Sequence, residues 1–387
     1  MNTFDITSLT GLLTAACAVL GCIQLLFLFG VYNQVRKTAA SVSNEQADPA
    51  ALPPLSVILV TKDSAAALRE NLPLLLQQDY PWFEVIVVND QSAGTDEDVL
   101  KQLSACYPNL YYTFIPPTAR YVSRKKLGVA MGIRASRHEW LVFTDPHCRP
   151  QSDQWLKGIA TQCTEQTDIV LGYCGFEGGK GGFNGKVRLQ NFFSSLRYLG
   201  WAAAGHPYMG IGRNLAYRKS AYEAHKGFAD HLQLQQGEDD LLVNAMARKG
   251  NTRIAVAPES LMRQPVPAYK RLWVEERVGR NVTGRFYRGT VRWLNGIDTW
   301  SLLLLHSCTL VGTVSALLTH NWTGLAAICL IGLSRFACAM TVLRRAAQTL
   351  GEKMCCGLLL LDLLRPWWSL QAWFQYVFRH KADFLRK

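Results

Sequence analysis

The chain has 387 residues, 49% of them hydrophobic, which is enough for one large domain or two ordinary ones. Its formal net charge of +12 suits acidic membrane surfaces, nucleotide phosphates or nucleic acid as partners. The 11 cysteines include no C-x-x-C pair and show no Cys/His metal spacing. We therefore expect a reduced cytoplasmic catalytic portion, and neither a disulfide framework nor a Cys/His metal site.

The first segment, 1–37, has the features of a membrane anchor. No charged residue lies between Asp5 and Arg36, and the apolar run Leu9–Tyr32 is longer than the ~20 residues that cross a bilayer. A cleaved signal peptide carries its positive charge before the apolar core, whereas here Arg36 and Lys37 follow it. The sequence favours an anchor, and the positive-inside rule predicts that the chain after it is cytoplasmic.

A polar, proline-containing linker is expected at 38–54 and a catalytic domain at 55–290. In that domain apolar strand-like runs alternate with segments of helical period, which predicts an α/β fold with a mostly parallel sheet. The predicted strands are Leu55–Thr61, Glu84–Asn89, Tyr111–Ile115, Trp140–Thr144, Ile169–Tyr173 and Arg253–Ala257. The predicted helices are Ala66–Gln77, Asp96–Cys106, Lys125–Ser136 and Ser152–Thr164.

Acidic residues stand where several of these strands end. Asp63 follows the first strand, Asp90 the second and Asp145 the fourth. A single acid at such a place is commonly a helix N-cap, and Asp96 fits that interpretation. Ligands of open α/β sheets lie beyond the carboxyl ends of the strands, so several acids at one edge favour a binding site.

The last segment, 291–387, is predicted to return to the membrane. Thr299–Thr319 and Trp322–Leu343 each have spanning length, so we expect a transmembrane hairpin. Arg335 lies inside the second run. It is either a functional charge within the membrane or a side chain that reaches the membrane–water interface. Leu358–Phe378 contains charges, a proline and several Trp and Tyr residues, which favours an interfacial or re-entrant helix over a span.

Two adjacent stretches carry a recognisable pattern. Gln77–Pro81 reads Q-Q-D-Y-P, and Phe83–Ser92 reads F-E-V-I-V-V-N-D-Q-S. They are similar to the Q-x-x-Y-P and E-V-I-V-V-D-D-x-S motifs of the family 2 glycosyltransferases, which have the GT-A fold. The resemblance implies that Asp90 reads the base of a nucleotide, while Asn89 replaces the preceding acid of the family motif.

The resemblance extends to two further parts of the nucleotide site. Thr61 and Asp63 lie in a segment that looks like the family's first strand and nucleotide loop. Ser123–Lys126 looks like its G-K segment, where cationic groups would suit a donor diphosphate. Arg124 and Lys125 are therefore candidate donor ligands, although an ordinary basic helix start has the same pattern.

The segment Thr144–Cys148 falls where the family has its D-x-D motif. The resemblance implies a nucleotide-sugar donor and a divalent cofactor, Mn²⁺ or Mg²⁺, which bridges the two donor phosphates. Asp145 keeps the first acid, and His147 replaces the second. Three alternatives remain: His147 is a nitrogen ligand, which would favour Mn²⁺; Asp145 alone binds the metal; or basic residues replace much of the metal's charge.

The stretch Gln236–Leu242 looks like the family's E-D motif. An inverting transfer needs a carboxylate that removes the proton of the acceptor hydroxyl. Asp239 is the predicted base, with Glu238 and Asp240 beside it, because clustered acids can raise one another's pKa. The alternative is an acidic first turn of a helix.

Two segments are similar to the acceptor-side motifs of the family. Gly210–Arg218 looks like G-x-N-x-A-x-R and contains Asn214. Arg277–Asn281 resembles a degenerate Q-x-x-R-W, in which Arg280 matches the Arg and Arg277 stands in for the Gln. Processive members keep the Trp that is absent here, so the sequence favours single transfers.

The chain resembles the bacterial non-processive members of this family. It predicts a membrane-bound inverting glycosyltransferase at the cytoplasmic face of a bacterial inner membrane, with a lipid-linked or glycan acceptor of the cell envelope. Membrane lipids are expected partners. Nucleic acid is not expected, because much of the basic charge lies beside apolar runs where anionic lipid explains it. The sequence indicates no obligate protein partner. The alternatives are a nucleotidyltransferase and a non-catalytic nucleotide-sugar-binding membrane protein.

Overall fold

A computed structural model describes residues 8–42, 52–90, 95–119, 122–353 and 358–378. The strands are β1 (Leu55–Thr61), β2 (Phe83–Asn89), β3 (Leu110–Phe114), β4 (Trp140–Phe143), β5 (Arg149–Pro150), β6 (Ile169–Gly172), β7 (Cys174–Phe176), β8 (Leu215–Arg218), β9 (Thr252–Ala255) and β10 (Met262–Gln264). The helices are α1 (Leu9–Phe27), α2 (Asn33–Val42), α3 (Ala65–Leu76), α4 (Thr95–Cys106), α5 (Arg124–Ala135), α6 (Trp155–Ala160), α7 (Gly182–Ala203), α8 (Lys219–Ala224), α9 (Asp240–Met246), α10 (Lys270–Thr283), α11 (Val291–Leu318), α12 (Trp322–Thr349) and α13 (Leu358–Val377).

Seven strands form the central sheet in the order β3-β2-β1-β4-β8-β6-β9. β1 pairs in parallel with both β2 and β4, which confirms the predicted mostly parallel sheet. β8 runs antiparallel between β4 and β6 and was not predicted. A second sheet of three short strands, β5-β10-β7, was not predicted either.

Both faces of the central sheet are covered. Val57 and Leu59 of β1 point into one apolar cluster, and Ile58 between them points into the other. This burial on both faces is typical of parallel strands and explains why β1 is apolar nearly throughout. The cluster that contains Ile58 continues through α7 to Tyr32 and Leu343, so the sheet packs through α7 onto the membrane-like helices.

Helix α5 lies unusually close to the sheet. A Cβ atom on Gly132 would be 2.4 Å from Ile58 Cγ2, and one on Gly128 would be 2.8 Å from Val60 Cγ1. Because these two glycines are one turn apart, the helix rests directly on β1. Its first residues, Arg124 and Lys125, are thereby held at the carboxyl edge of the sheet.

Two predicted segments, one helix and one linker, have different bounds in the structure. The segment predicted as Ser152–Thr164 contains only α6, because Ser152 Oγ accepts from the N–H of Gln154 in a turn. The predicted linker begins in a helix, since α2 continues to Val42; residues 43–51 of that linker lie outside the described part.

Among the described residues, three helices are long and apolar enough to cross a membrane: Leu9–Ser41, Val291–Leu318 and Trp322–Thr349. The first contains a π-helical turn, Leu28–Tyr32, that joins α1 to α2. Helices of spanning length are thus found where the anchor and the hairpin were predicted, and the two helices of the predicted hairpin are longer than the sequence indicated. The basic residues after 378 lie outside the described part.

Helix α13 is tied to the hairpin by buried charges. Arg335 is only 4% exposed and forms an ion pair with Asp362 of α13, so its side chain does not reach the interface. Arg365 Nη2 lies 3.3 Å from Asp298 Oδ1, and its Nη1 donates to the Tyr32 hydroxyl at 2.7 Å. The charge that the sequence places inside the second apolar run is therefore part of a network that joins α11, α12, α13 and the turn between α1 and α2.

Candidate active site

A cavity of about 960 Å³ opens at the carboxyl edge of the central sheet. Asp90, which follows β2, and Asp145, which follows β4, both line it. Asp239, which caps the start of α9, lines the same cavity. The three acids that the sequence singled out are therefore brought together in one place.

Asp90 is held by Arg124. Arg124 Nε donates to Asp90 Oδ1 at 2.5 Å, and its Nη1 donates to the carbonyl of Ala119 at 3.2 Å. The Asp90 N–H also donates to the carbonyl of Thr61 at 2.8 Å. Arg124 thus orients the carboxylate that was predicted to read the base, and both side chains line the cavity.

Thr61 and Asp63 do not line the cavity. Thr61 is buried, and its hydroxyl donates to Asp96 Oδ2 at 2.9 Å. The same carboxylate accepts the N–H of Ser64 at 2.9 Å, so Asp96 fastens the loop after β1 to α4 and is more than a helix-capping acid. Asp63 is exposed, with φ of 48°. The loop predicted to contact the nucleotide instead faces the cavity through Lys62.

Asp145 and His147 differ in where their side chains lie. Asp145 lines the cavity, and its Oδ1 accepts the N–H of His147 at 3.2 Å. The His147 side chain is exposed and does not line the cavity. Within the described ranges, no group of three or more His, Cys, Asp or Glu residues is placed to hold a metal. Asp145 alone of these residues offers the cavity a carboxylate that would hold a divalent cation, because carboxylate oxygens are ligands that such cations accept.

Backbone N–H groups hold the Asp239 carboxylate at both oxygens. Oδ2 accepts from Gly212 at 2.8 Å, and Oδ1 accepts from Asp240 at 2.7 Å. Burial and the neighbouring Glu238 carboxylate raise the pKa of Asp239, while the Lys125 ammonium and these N–H groups oppose the rise. A fixed carboxylate with a raised pKa suits the predicted general base.

Lys125 pairs with the base motif. Its ammonium lies 2.9 Å from Glu238 Oε1. The Glu238 carboxylate raises the pKa of Lys125, with smaller contributions from Asp145 and Asp239. Burial disfavours the charged form of Glu238, but Lys125 outweighs it and lowers the Glu238 pKa. Lys125, which was predicted to bind the donor, therefore lies beside the acids of the E-D motif, and it lines the cavity.

Asp240 is a buried anchor for the following part of the chain. It is 4% exposed, and its Oδ2 accepts from the hydroxyls of Tyr287, at 2.7 Å, and Thr283. Burial and the adjacent Asp239 raise its pKa to about 7. Its hydrogen bonds to α10 and to Tyr287 explain why an acid stands directly beside the base.

Lys126 does not face a phosphate site. Its buried ammonium donates to the carbonyls of His231, at 2.6 Å, and Leu234, at 2.8 Å. Burial lowers its pKa to about 8. The lysine that the sequence grouped with the diphosphate cluster instead holds the loop that leads to the E-D motif.

Two predicted acceptor-side residues lie away from the cavity. Asn214 is 2% exposed; its amide donates to the carbonyls of Tyr173, at 3.0 Å, and Ser260, at 2.8 Å, so it joins strand ends in the interior. Arg277 donates to the carbonyl of Trp368 at 3.3 Å and so contacts α13. Both were assigned by motif position, which does not reveal the direction of a side chain.

Arg280 lines the cavity in a cluster that the sequence did not reveal. Glu276, one turn earlier on α10, accepts from both Arg280 and Arg213. The two arginines lower the pKa of Glu276 against the effect of its burial. The i,i+4 spacing of Glu276 and Arg280 on a helix could have predicted their ion pair from the sequence. The pair with Arg213 could not be predicted in this way, because Arg213 is 63 residues from Glu276 along the chain.

Comparisons with known proteins agree with these motifs. The family model described as glycosyl transferase family 2 matches residues 56–225. Over 135 residues the chain is 30% identical to glycosyltransferase AglE of Haloferax volcanii. That match covers 34% of this chain and 42% of the relative, so it spans less than half of the relative's length.

A solved structure shows the same fold. The mannosyltransferase PcManGT of Pyrobaculum calidifontis, in complex with GDP-Man and Mn²⁺, superposes with a TM-score of 0.53 at 19% identity. The alignment covers 86% of this chain and 98% of that protein. The likeness shows that the two proteins share a fold, and it agrees with the predicted GT-A fold.

Proposed function

We propose that the chain is a membrane-bound, inverting glycosyltransferase that moves a sugar from a nucleotide-sugar donor to an acceptor at the cytoplasmic face. The observation that carries the proposal is that Asp90, Asp145 and Asp239 line one cavity. The family match and the likeness to a mannosyltransferase with bound GDP-Man support this reaction class.

The donor half of the proposed site lies between Asp90 and Asp145. The carboxylate of Asp90, oriented by Arg124, is suited to accept hydrogen bonds from a nucleotide base. Lys62 lies on the same wall and can contact the diphosphate. Asp145 would hold a divalent cation, Mn²⁺ or Mg²⁺. When bound, such a cation neutralises the charge that develops on the departing nucleoside diphosphate.

The acceptor half is built around Asp239. In the proposed reaction its carboxylate removes the proton of the acceptor hydroxyl as that oxygen attacks the anomeric carbon, so the configuration inverts. The N–H groups of Gly212 and Asp240 keep the carboxylate oriented for this transfer. Lys125 lowers the pKa of the adjacent Glu238, whereas burial and the Glu238 carboxylate raise the pKa of Asp239, which suits Asp239 for the role of base.

The membrane supplies the acceptor in this proposal. Three helices are long and apolar enough to span, and the charge that follows the first one favours a cytoplasmic catalytic domain. Helix α10 lines the cavity with Glu276 and Arg280 and packs against α13, which is joined to the hairpin. A lipid-linked or membrane-delivered glycan acceptor can therefore approach along α10.

A donor screen tests the proposal. Purified full-length chain in lipid nanodiscs is assayed with UDP-, GDP- and dTDP-sugars, with Mn²⁺ and Mg²⁺ compared. The expected result is a metal-dependent release of nucleoside diphosphate from one donor class. Release of pyrophosphate would instead indicate a nucleotidyltransferase. Tight donor binding without turnover, also with membrane lipid extracts as acceptors, would indicate a non-catalytic binding protein.

A further inference from the structure

Part of the cavity wall is apolar and is formed by the central sheet itself. Strands β1, β4 and β8 each contribute one buried side chain to it, those of Ile58, Phe143 and Leu215. Phe143 pairs with Leu215 on one side and with Ile58 on the other, and all three belong to the same apolar cluster. They therefore form one row on one face of the sheet, which we call the apolar floor.

The apolar floor lies between the two acids that the proposed reaction uses. Asp145 stands two residues after Phe143, beyond the end of β4. Gly212 stands three residues before Leu215 and donates its N–H to Asp239. In the proposed reaction the anomeric carbon lies between the cation and the base, so the donor sugar lies over the floor. The substituent on the ring carbon next to the anomeric carbon is then the one that reaches it.

Tyr217 brings one polar group to this floor. Its side chain is 1% exposed and lines the cavity from β8. The ring is stacked between Phe143, with centroids 4.4 Å apart, and Tyr222, with centroids 6.2 Å apart. Within the described part of the chain, no hydrogen bond is found for its hydroxyl. The stacked rings fix the direction of a hydroxyl that is left for a bound molecule.

The Tyr217 hydroxyl stays protonated and is therefore a hydrogen-bond donor. Burial raises the pKa of Tyr217 well above its usual value, and Tyr222 and the Asp239 carboxylate add to the rise. The contribution of Asp239 also means that the hydroxyl lies within electrostatic reach of the proposed base. The floor thus offers a bound sugar apolar surface and one neutral donor.

An acylamino substituent fits this combination. Its carbonyl oxygen accepts a hydrogen bond from the Tyr217 hydroxyl, and its methyl group is buried against apolar side chains. A sugar hydroxyl in the same place both donates and accepts, and it would lose water there for a single partner. A methyl group alone would leave the Tyr217 hydroxyl unpaired.

We infer that Tyr217 and the apolar floor form a subsite for an acylamino group on the donor sugar, so that the donor is a nucleotide-linked N-acylated amino sugar. The inference rests on the proposed function and names its donor class. Tyr217 determines specificity in this inference and takes no part in the transfer of the acceptor proton.

Pairs of donors that differ only in this substituent test the subsite. UDP-GlcNAc with UDP-Glc, and UDP-GalNAc with UDP-Gal, are titrated by calorimetry into the full-length chain in nanodiscs with Mn²⁺. UDP, GDP-Man and dTDP-rhamnose are titrated in parallel. In at least one pair the acetamido sugar is expected to bind about tenfold or more tightly than its partner, because a hydrogen bond and a buried methyl group are gained.

Tyr217→Phe removes the hydroxyl and keeps the stacked ring. The preference within the pair should fall by about threefold or more. The melting temperature and the affinity for UDP should stay unchanged, because the hydroxyl has no partner among the described residues. Tyr222→Phe is the matched control and should keep the preference, since Tyr222 belongs to the same stack but does not line the cavity. If Tyr217→Phe does not fold, the donor pairs with the wild-type chain carry the test.

Two kinds of failure are distinguishable. Equal binding within both pairs, tighter binding of GDP-Man or dTDP-rhamnose than of both acetamido donors, or an unchanged preference in Tyr217→Phe would overturn the inference. Binding of UDP without any such preference would leave the proposed function in place. Absence of binding for every one of these nucleotides would count against the proposed function itself.

Discussion

The ammonium of Lys125 lies 2.9 Å from Glu238 Oε1, one residue before the proposed base Asp239. This arrangement determines the pH at which Asp239 ionises. Glu238 raises the pKa of Asp239 and Lys125 lowers it. The two residues therefore act on the base with opposite sign.

Substituting either residue should shift the acid limb of the pH profile. In Lys125→Gln the Asp239 carboxylate loses a stabilising cation, so its pKa rises and activity appears about one pH unit higher. In Glu238→Gln it loses a repelling anion, so the limb moves to lower pH. The measurement is kcat/KM for transfer against pH.

Lys101→Gln is the matched control, because Lys101 pairs with Glu97 at 2.8 Å on the surface and should leave the profile unchanged. If both cavity substitutions moved the limb in the same direction, Asp239 would not be the group that titrates.

Glu352 joins the end of the second hairpin helix to the catalytic domain. Its carboxylate is 1% exposed and accepts from Arg263, from Arg188 Nη2 at 3.0 Å and from the Tyr173 hydroxyl at 2.8 Å. Glu352→Gln should lower the free energy of unfolding by about 3–5 kcal/mol, because the buried Arg263 and the partly buried Arg188 lose their shared anion. Denaturant titration of the chain in detergent measures the change.

The surface variant Glu97→Gln serves as the comparison for Glu352→Gln. Its pair with Lys101 is exposed to solvent, so its loss should change the free energy of unfolding much less. Equal stability of the two variants would show that Glu352 does not join the two parts of the molecule.

Arg335 and Asp362 are expected to be energetically coupled. Both are buried and form an ion pair between α12 and α13. Either single substitution to Leu leaves an unpaired buried charge, whereas the double substitution removes both charges. The double variant should therefore be destabilised by less than the sum of the losses in the two single variants. Hydrogen exchange of residues 358–378 measures how firmly α13 is held. Additive losses of protection in the two single variants would exclude the coupling. Asp362 also lies 3.6 Å from Arg365, so the double variant should not recover the full stability of the wild type.

Asp145 and His147 should differ in their effect on metal dependence. Asp145 lines the cavity, whereas the His147 side chain is exposed. Asp145→Asn should raise the Mn²⁺ concentration for half-maximal activity by at least about tenfold, and His147→Ala by less than about twofold. A large effect of His147→Ala would support its role as a nitrogen ligand, which the sequence left open.

Residues at the ends of strands were the part of the site that sequence patterns could locate. The apolar strand β1 and the acids Asp90 and Asp145 follow a simple rule, because parallel strands deliver their ends to one edge. Asp239 was found through the resemblance of its motif. These predictions needed no knowledge of which way a side chain points.

Contacts between distant parts of the chain could not be predicted in this way. Asn214 matched a motif, yet its amide turns inward because two carbonyls satisfy it there. Lys126 was grouped with Arg124 and Lys125, but successive residues of a helix point in different directions. Its ammonium therefore points away from the cavity and donates to carbonyls of a loop more than 100 residues away along the chain. The pairing of Glu352 with Arg263 depends on packing between the membrane-like helices and the sheet, which no local pattern encodes.

The most direct test of the account compares Asp239→Asn with the wild-type chain. The expected result is a fall in kcat of about 10²–10⁴-fold with the dissociation constant of the donor unchanged, because Asp239 acts on the acceptor proton alone. Asp230→Asn, at an exposed pair with Arg288, is the matched control and should retain full activity. Full activity of Asp239→Asn, or a loss of donor binding equal to its loss of turnover, would contradict the claim that these acids form one catalytic site with Asp239 as its base.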